Sequence, residues 1–213
     1  MRMQSRVVAL ASLLLAWQLS GCASLSKEEC LAADWRTIGF GDGAAGKRAS
    51  RLDDHREACA DYSVKPNLTA YLAGRDAGLL TYCRPGKGYS EGSNGRSYEG
   101  VCPAELEGPF LSAYRSGKIV HDAESAVSAI EKRIRESRND LENLKTRLMQ
   151  AESKAVASGL SDTDRKTAVN EVVHLSEEKG RLEETILEST SDLALSRNRL
   201  EQLRREFRHW DLP

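Results

Sequence analysis

The cysteines are the side chains whose types and spacing say most about chemistry. There are five: Cys22, Cys30, Cys59, Cys83 and Cys102. Cys22 follows Leu19-Ser20-Gly21, where small residues at 20 and 21 leave the backbone open to a peptidase. Four cysteines then remain, and an even count in an oxidising compartment reads as two disulfides. Of the three possible pairings, Cys30–Cys59 and Cys83–Cys102 are expected, because short loops close at lower entropy cost. Little other chemistry is legible. The Gly-rich run at residues 39–46 lacks the Gly-Lys-Ser/Thr ending of a phosphate loop, and no apolar strand precedes it. His55, His121, His174 and His209 are scattered without zinc spacing and are expected to be exposed on helices. Asp53-Asp54-His55 reads as a charged helix face rather than a metal site. No Gly-x-Ser-x-Gly nucleophile elbow is present. The expectation is a non-enzymatic protein with no cofactor and no metal. Trp35, Tyr89 and Tyr98 are the aromatics that could form a surface for a sugar or peptide.

The first 21 residues explain the compartment. Arg2 and Arg6 precede an apolar run from Val7 to Trp17. Crossing a bilayer as a helix takes roughly 20 apolar residues, so this run is a processing segment rather than an anchor. Leu19-Ser20-Gly21-Cys22 resembles the lipobox of bacterial lipoproteins. Cleavage before Cys22 and acylation of its thiol would tie the chain to a membrane, and several acyl chains hold far more firmly than one. Ala23 stands where an Asp would resemble an inner-membrane retention signal, so the expected site is the outer membrane, facing the periplasm. Removal of Arg2 and Arg6 with the leader leaves 29 basic against 32 acidic side chains. That balance argues against nucleic acid as a partner.

Composition changes near Gly117. The cysteines, most glycines and every proline but Pro213 come before it, and long Glu/Lys/Arg/Leu/Ala stretches follow. In the second half, Val120, Ala123, Val127, Ile130, Ile134, Ser137, Leu141, Leu144, Leu148, Ala151 and Ala155 are spaced alternately three and four apart, which is a heptad seam. A second seam runs Val172, Leu175, Lys179, Leu182, Ile186, Ser189, Leu193, Ser196, Leu200, Leu203, Phe207 and Trp210. Between them Gly159 suits a left-handed helix stop, and Ser161 with Asp164 resembles a capping box. Two helices, at 109–157 with Pro109 in the first turn and at 164–210, are therefore expected to fold back across a turn at 158–163. Similar lengths let both seams pair within one chain, although such heptads could also join two chains. Ser137, Lys179, Ser189 and Ser196 in the seams cost stability but help fix register. Gly180 reads as a tolerated soft spot costing about 1 kcal/mol relative to Ala.

Residues 22–25 form the acylated cysteine and a short linker, and 26–108 a small Cys/Gly/Tyr-rich domain of a size that often needs covalent staples. Helices are expected at 27–38, 51–62 and 68–82, with Ser26, Ser50 and Asn67 as N-caps. A Gly-rich turn is expected at 39–46 and a loop at 83–103, tied at its base by cysteines and turned at Asn94-Gly95. Tyr71, Tyr89 and Tyr114 each precede a glycine by three residues. Gly74 and Gly78 share a helical face, so tight packing is the expected reading of this recurrence.

The pattern Cys30, Asp34-Trp35, Ile38-Gly39, Asp42-Gly43, Gly46, Cys59, Tyr71-x-x-Gly74-Arg75-x-x-Gly78-Leu79, Tyr82-Cys83, Gly88-Tyr89-x-x-Gly92, Gly95, Tyr98-x-Gly100-Val101-Cys102-Pro103 and Phe110-x-x-x-Tyr114-x-x-Gly117 resembles an uncharacterised family of Gram-negative lipoproteins, domain of unknown function 2799. The resemblance covers about residues 24–150. It implies an envelope lipoprotein and brings no activity, cofactor or catalytic residue. The expected fold class is mainly α: a small disulfide-stapled helical domain followed by a long antiparallel helical hairpin. The expected function is a scaffold, with the membrane held through the lipid and a protein partner through the hairpin. The alternative is a peptidoglycan or glycan binding module using Trp35, Tyr89 and Tyr98.

Overall fold

A computed structural model describes residues 24–210. Cys22 and the leader lie outside the described residues. The described chain is helical without a strand: α1 Lys27–Leu31, α2 Trp35–Ala44, α3 Arg51–Cys59, α4 Leu68–Tyr82, α5 Pro85–Ser93, α6 Ala104–Ala155 and α7 Asp162–Glu206. Single 3₁₀ turns at Ala60–Tyr62 and Arg208–Trp210 follow α3 and α7. The chain divides into two compact units. Unit 1 holds the residues up to Lys87 together with Tyr98–Phe110, and unit 2 holds Gly88–Ser97 together with the chain from Leu111 onward.

The caps show why the helices of unit 1 start where they do. Ser26 accepts from the Glu29 amide while the Glu29 carboxylate accepts from the Ser26 amide, a complete capping box. Asp34 opens α2 by accepting from the Arg36 amide, and Asn67 opens α4 by accepting from Ala70. Ser50 makes no side-chain cap. Both disulfides lie in unit 1 and pair as expected, Cys30 with Cys59 and Cys83 with Cys102, at Cα separations of 5.4 and 5.6 Å. Cys30 and Cys59 sit in a core with Trp35, Leu52 and Tyr71.

Besides the helix expected at 27–38, which is two helices, α1 and α2, with Asp34 capping the second, three expectations need correction. The Gly-rich run is no turn until Gly46: α2 carries Gly39, Gly41 and Gly43 within its span, and only Gly46 takes a positive φ, 69°. Second, the stretch after Cys83 is not all loop, since α5 begins at Pro85, a good first helical residue. Third, α6 begins at Ala104, so Pro109 lies inside the helix rather than at its first position. Pro103 supplies the carbonyl that accepts from the Leu106 and Glu107 amides, and this start lets the helix form before Pro109 withdraws one donor.

The glycines that favour a turn locally are consumed by helix crossings. A Cβ on Gly39 would collide with the Tyr71 carbonyl, and one on Gly74 with the Arg36 carbonyl. One turn further on, Gly43 meets the Arg75 carbonyl and Gly78 the Phe40 carbonyl. In every pair the carbonyl belongs to the residue three before the opposing glycine. Because both helices advance together through these contacts, α2 and α4 run parallel, backbone against backbone. Unit 2 repeats the device once. Gly92 of α5 meets the Tyr114 carbonyl of α6, and Gly117 meets the Tyr89 carbonyl. This is the tight packing expected of the Tyr-x-x-Gly recurrence.

Unit 2 is otherwise the hairpin. Both heptad seams are buried or half-buried at every position named above. One core gathers Val120, Val127, Leu200 and Leu203, with Phe207 and Trp210 against it; another joins Leu144, Ala151 and Leu175. Ser137 and Ser189 are buried in the seam. Glu131–Arg197 at 2.6 Å and Glu124–Arg204 at 2.7 Å join α6 to α7 on the outside. At about 1.5 Å per residue, α7 spans roughly 70 Å. Ser161 caps α7 as expected, and Gly159 takes φ 83° in the turn. Arg165 reaches back to the Ala155 carbonyl, satisfying an acceptor that the end of α6 leaves open.

Gly74→Ala is expected to destabilise the protein by roughly 1–3 kcal/mol or more, because the obstacle is backbone that cannot rotate away. Gly180 lies in α7 with nothing near its missing Cβ, so Gly180→Ala should stabilise by about 1 kcal/mol. Urea unfolding of both variants checks the pair. Each disulfide should contribute roughly 3–4 kcal/mol by chain-entropy arguments. Cys83→Ser with Cys102→Ser should therefore lower the urea midpoint measurably, and an unchanged midpoint would contradict it.

Candidate functional site

Polar side chains meet at several places in the described chain, and two of them bear most on function. The first is in unit 1. On α3, Leu52, His55 and Cys59 are buried together at helical spacing. His55 is therefore 3% exposed, a correction to the expectation of an exposed helix histidine. Its Nε2 lies 2.8 Å from Oδ2 of Asp42, near the end of α2, and its Nδ1 lies 2.8 Å from Oγ of Ser24. The hydroxyl of Tyr71, fully buried in the first turn of α4, donates to the same Asp42 oxygen at 2.7 Å. Nε2 of His55 bonds to Asp42, and Nδ1 shares a hydrogen bond with the Ser24 hydroxyl.

Ser, His and Asp in one hydrogen-bonded line are the residue types of a nucleophile, a base and a group that orients the base. Here Asp42 is shared with Tyr71, and the four side chains satisfy one another. Their physical effect is to tie residue 24 to three helices. Burial, followed by the Asp42 hydrogen bond, raises the Tyr71 pKa above its ordinary value of 10. Elsewhere in unit 1, Tyr98 accepts from the Cys102 amide and donates to Glu107. Burial foremost raises its pKa as well.

The second place is the hairpin of unit 2. Midway along it a polar groove is lined by Asp140, Asn143, Arg147, Glu178, Arg181 and Thr185 over a floor of Leu144 and Leu182. Lys179, a seam residue, turns to Glu183 at 2.8 Å instead of entering the core. At the tip, Val156 is 79% exposed. Outward-facing Val169, Val173, Leu187 and Leu195 on α7 are also exposed.

The aromatics named from sequence do not form one surface. Trp35 is buried in the core of unit 1 and Tyr89 in that of unit 2. Tyr98 is half-buried, with its ring 4.9 Å from that of Phe110. Cys30, Cys59, Cys83 and Cys102 are consumed in disulfides. The Ser24–His55–Asp42–Tyr71 set was missed by sequence reading, although the shared spacing of Leu52, His55 and Cys59 was a signal for the burial of His55. Among the described residues no group of three His, Cys, Asp or Glu side chains could hold a metal ion, and no helix is long and apolar enough to cross a membrane.

A raised Tyr71 pKa has a definite sign in folding. Below pH 10 the hydroxyl is protonated in both states and its stabilisation is intact. Above pH 10 the unfolded chain ionises first, so stability falls as pH rises. Tyr71→Phe should lose stability at neutral pH through the missing Asp42 bond and show a shallower decline in the alkaline range. Urea midpoints at pH 7, 10 and 11 would test this, and parallel declines in the two proteins would refute it.

Residues 34–119 match the model of a family described as protein of unknown function, DUF2799. No curated protein and no solved structure matches the chain.

Proposed function

We propose that this chain, whose residues 34–119 match the model of the DUF2799 family, is a lipid-anchored envelope scaffold that meets its protein partner through the hairpin of unit 2. The leader is removed before Cys22, the Cys22 thiol is acylated, and the protein is held at the outer membrane on the periplasmic side. The observation that carries the scaffold role is the hairpin itself. Two helices, Ala104–Ala155 and Asp162–Glu206, bury their seams against each other and leave a long charged exterior with a capped turn at one end. A stiff self-satisfied pair of helices is suited to presenting a loop to a partner. The disulfides support an oxidising compartment. The leader and the lipobox-like residues support the anchor. Burial of Trp35 and Tyr89 favours this reading over a carbohydrate surface built on them.

Labelled palmitate should enter the wild-type protein and not Cys22→Ser, and failure to label the wild type would remove the anchor from the reading. A photo-crosslinking residue at Val156 or Leu160 should yield a discrete envelope adduct absent when the same group stands at Lys132, mid-helix. Equal capture from both places would count against the tip as the contact.

A further inference from the structure

The chain is already held in place two residues after Cys22. Ser24 bonds to buried His55, Leu25 packs against the core of Cys30, Trp35, Leu52, Cys59 and Tyr71, and Ser26 caps α1. Only Ala23 separates the expected acyl site from this fixed structure. Two residues reach about 7 Å at full extension, about the depth of one headgroup layer, since the polar regions together add roughly 10–15 Å to a bilayer core. A lipid-linked Cys22 therefore leaves unit 1 no slack.

The first helix, α1, begins three residues after Ser24, and what it exposes is specific. Lys27 and Leu31 are four residues apart and adjacent on the helix surface, while Cys30 is buried in its disulfide. Leu31 is 62% exposed. The Lys27 ammonium stands 5.9 Å from the centre of the Tyr62 ring, and Tyr62 is 36% exposed. A cation, an amphipathic aromatic and an exposed leucine are the side chains that suit a membrane–water interface, where long stems and rings enter the headgroups and polar ends stay wet. Exposed Glu28 and Asp61 flank this face, so a strongly anionic surface would repel it. The charge mixture matches zwitterionic headgroups, with Lys27 opposite phosphate and the carboxylates opposite ammonium.

We propose that Lys27, Leu31 and Tyr62 form a membrane-contact face of unit 1, seated in the zwitterionic headgroup layer of the bilayer that holds Cys22. The proposal rests on the lipoprotein reading above. Ser24 is the positioning residue, since its hydroxyl ties the lipid-proximal backbone to α3.

The test uses the full mature protein, purified with its acyl chains and placed in phosphatidylethanolamine–phosphatidylcholine vesicles. Leu31→Trp adds a reporter to the existing tryptophans. Its added fluorescence should be lost when the lipids carry bromine near the top of their chains. Insertion of about ten Gly/Ser residues after Ala23, enough for roughly 18 Å of drift, should restore most of that fluorescence while the protein stays on the vesicles. Circular dichroism of both variants controls for folding. Undiminished fluorescence in brominated vesicles, with acylation of Cys22 verified by mass spectrometry, overturns the contact face alone. An unmodified Cys22 overturns the lipoprotein reading and the contact face with it.

Discussion

Backbone meeting backbone is the constraint on which this architecture depends. At the α2–α4 crossing, Gly39, Gly43, Gly74 and Gly78 each leave room for a carbonyl of the opposing helix, and each carbonyl comes from the residue three before a glycine of its own helix. A helix carbonyl already accepts one hydrogen bond, so what it gains here is close packing and weak Cα–H contacts, individually about 0.5–1 kcal/mol. Side chains displaced from the interface are free to do other work at its edges. Tyr71 lends its carbonyl to the crossing and its hydroxyl to Asp42. The same geometry at Gly92 and Gly117 lets α5 sit against α6 in unit 2, and there Tyr114 sends its hydroxyl to the Arg96 carbonyl.

The two units solve the problem of a small core by different physics. Unit 1 lacks the length to bury much apolar surface and relies on close crossings, two disulfides and a buried polar network. Unit 2 spreads its apolar burial along a seam, one or two side chains per turn, with ion pairs such as Glu131–Arg197 outside. Exposed pairs of that kind contribute little to stability; their value is in choosing register. The buried serines act in the same sense, since Ser137 and Ser189 give up packing that a leucine would supply.

The proposed function follows the same division. Unit 1 is chained within two residues of the expected lipid site by Ser24 and His55, which suits it to lie at a membrane. Unit 2 has a long charged exterior and a turn braced by Arg165, which donates to the Ala155 carbonyl, an arrangement suited to holding a loop steadily before a partner.

The parts legible in one dimension were those set by local rules. Heptad spacing named the seams from Val120 to Ala155 and from Val172 to Trp210, though not buried Ala168, because a helix period and a two-helix interface repeat over many turns. Loop entropy favoured the observed disulfides, and capping chemistry marked Ser26, Asn67 and Ser161. Residues 39–46 and Pro85–Ser93 were read as turn and loop because glycine disfavours helix when judged alone. Only the tertiary structure decided otherwise: the crossing contacts need the missing Cβ, and the partner helix is distant in sequence. His55 was misjudged for the same reason, since Asp42 lies thirteen residues before it and Ser24 thirty-one. Composition and periodicity determined that this protein is a stapled helical unit followed by a hairpin. Which backbone surfaces touch, and which polar groups are buried with them, depends on partners that no local window contains.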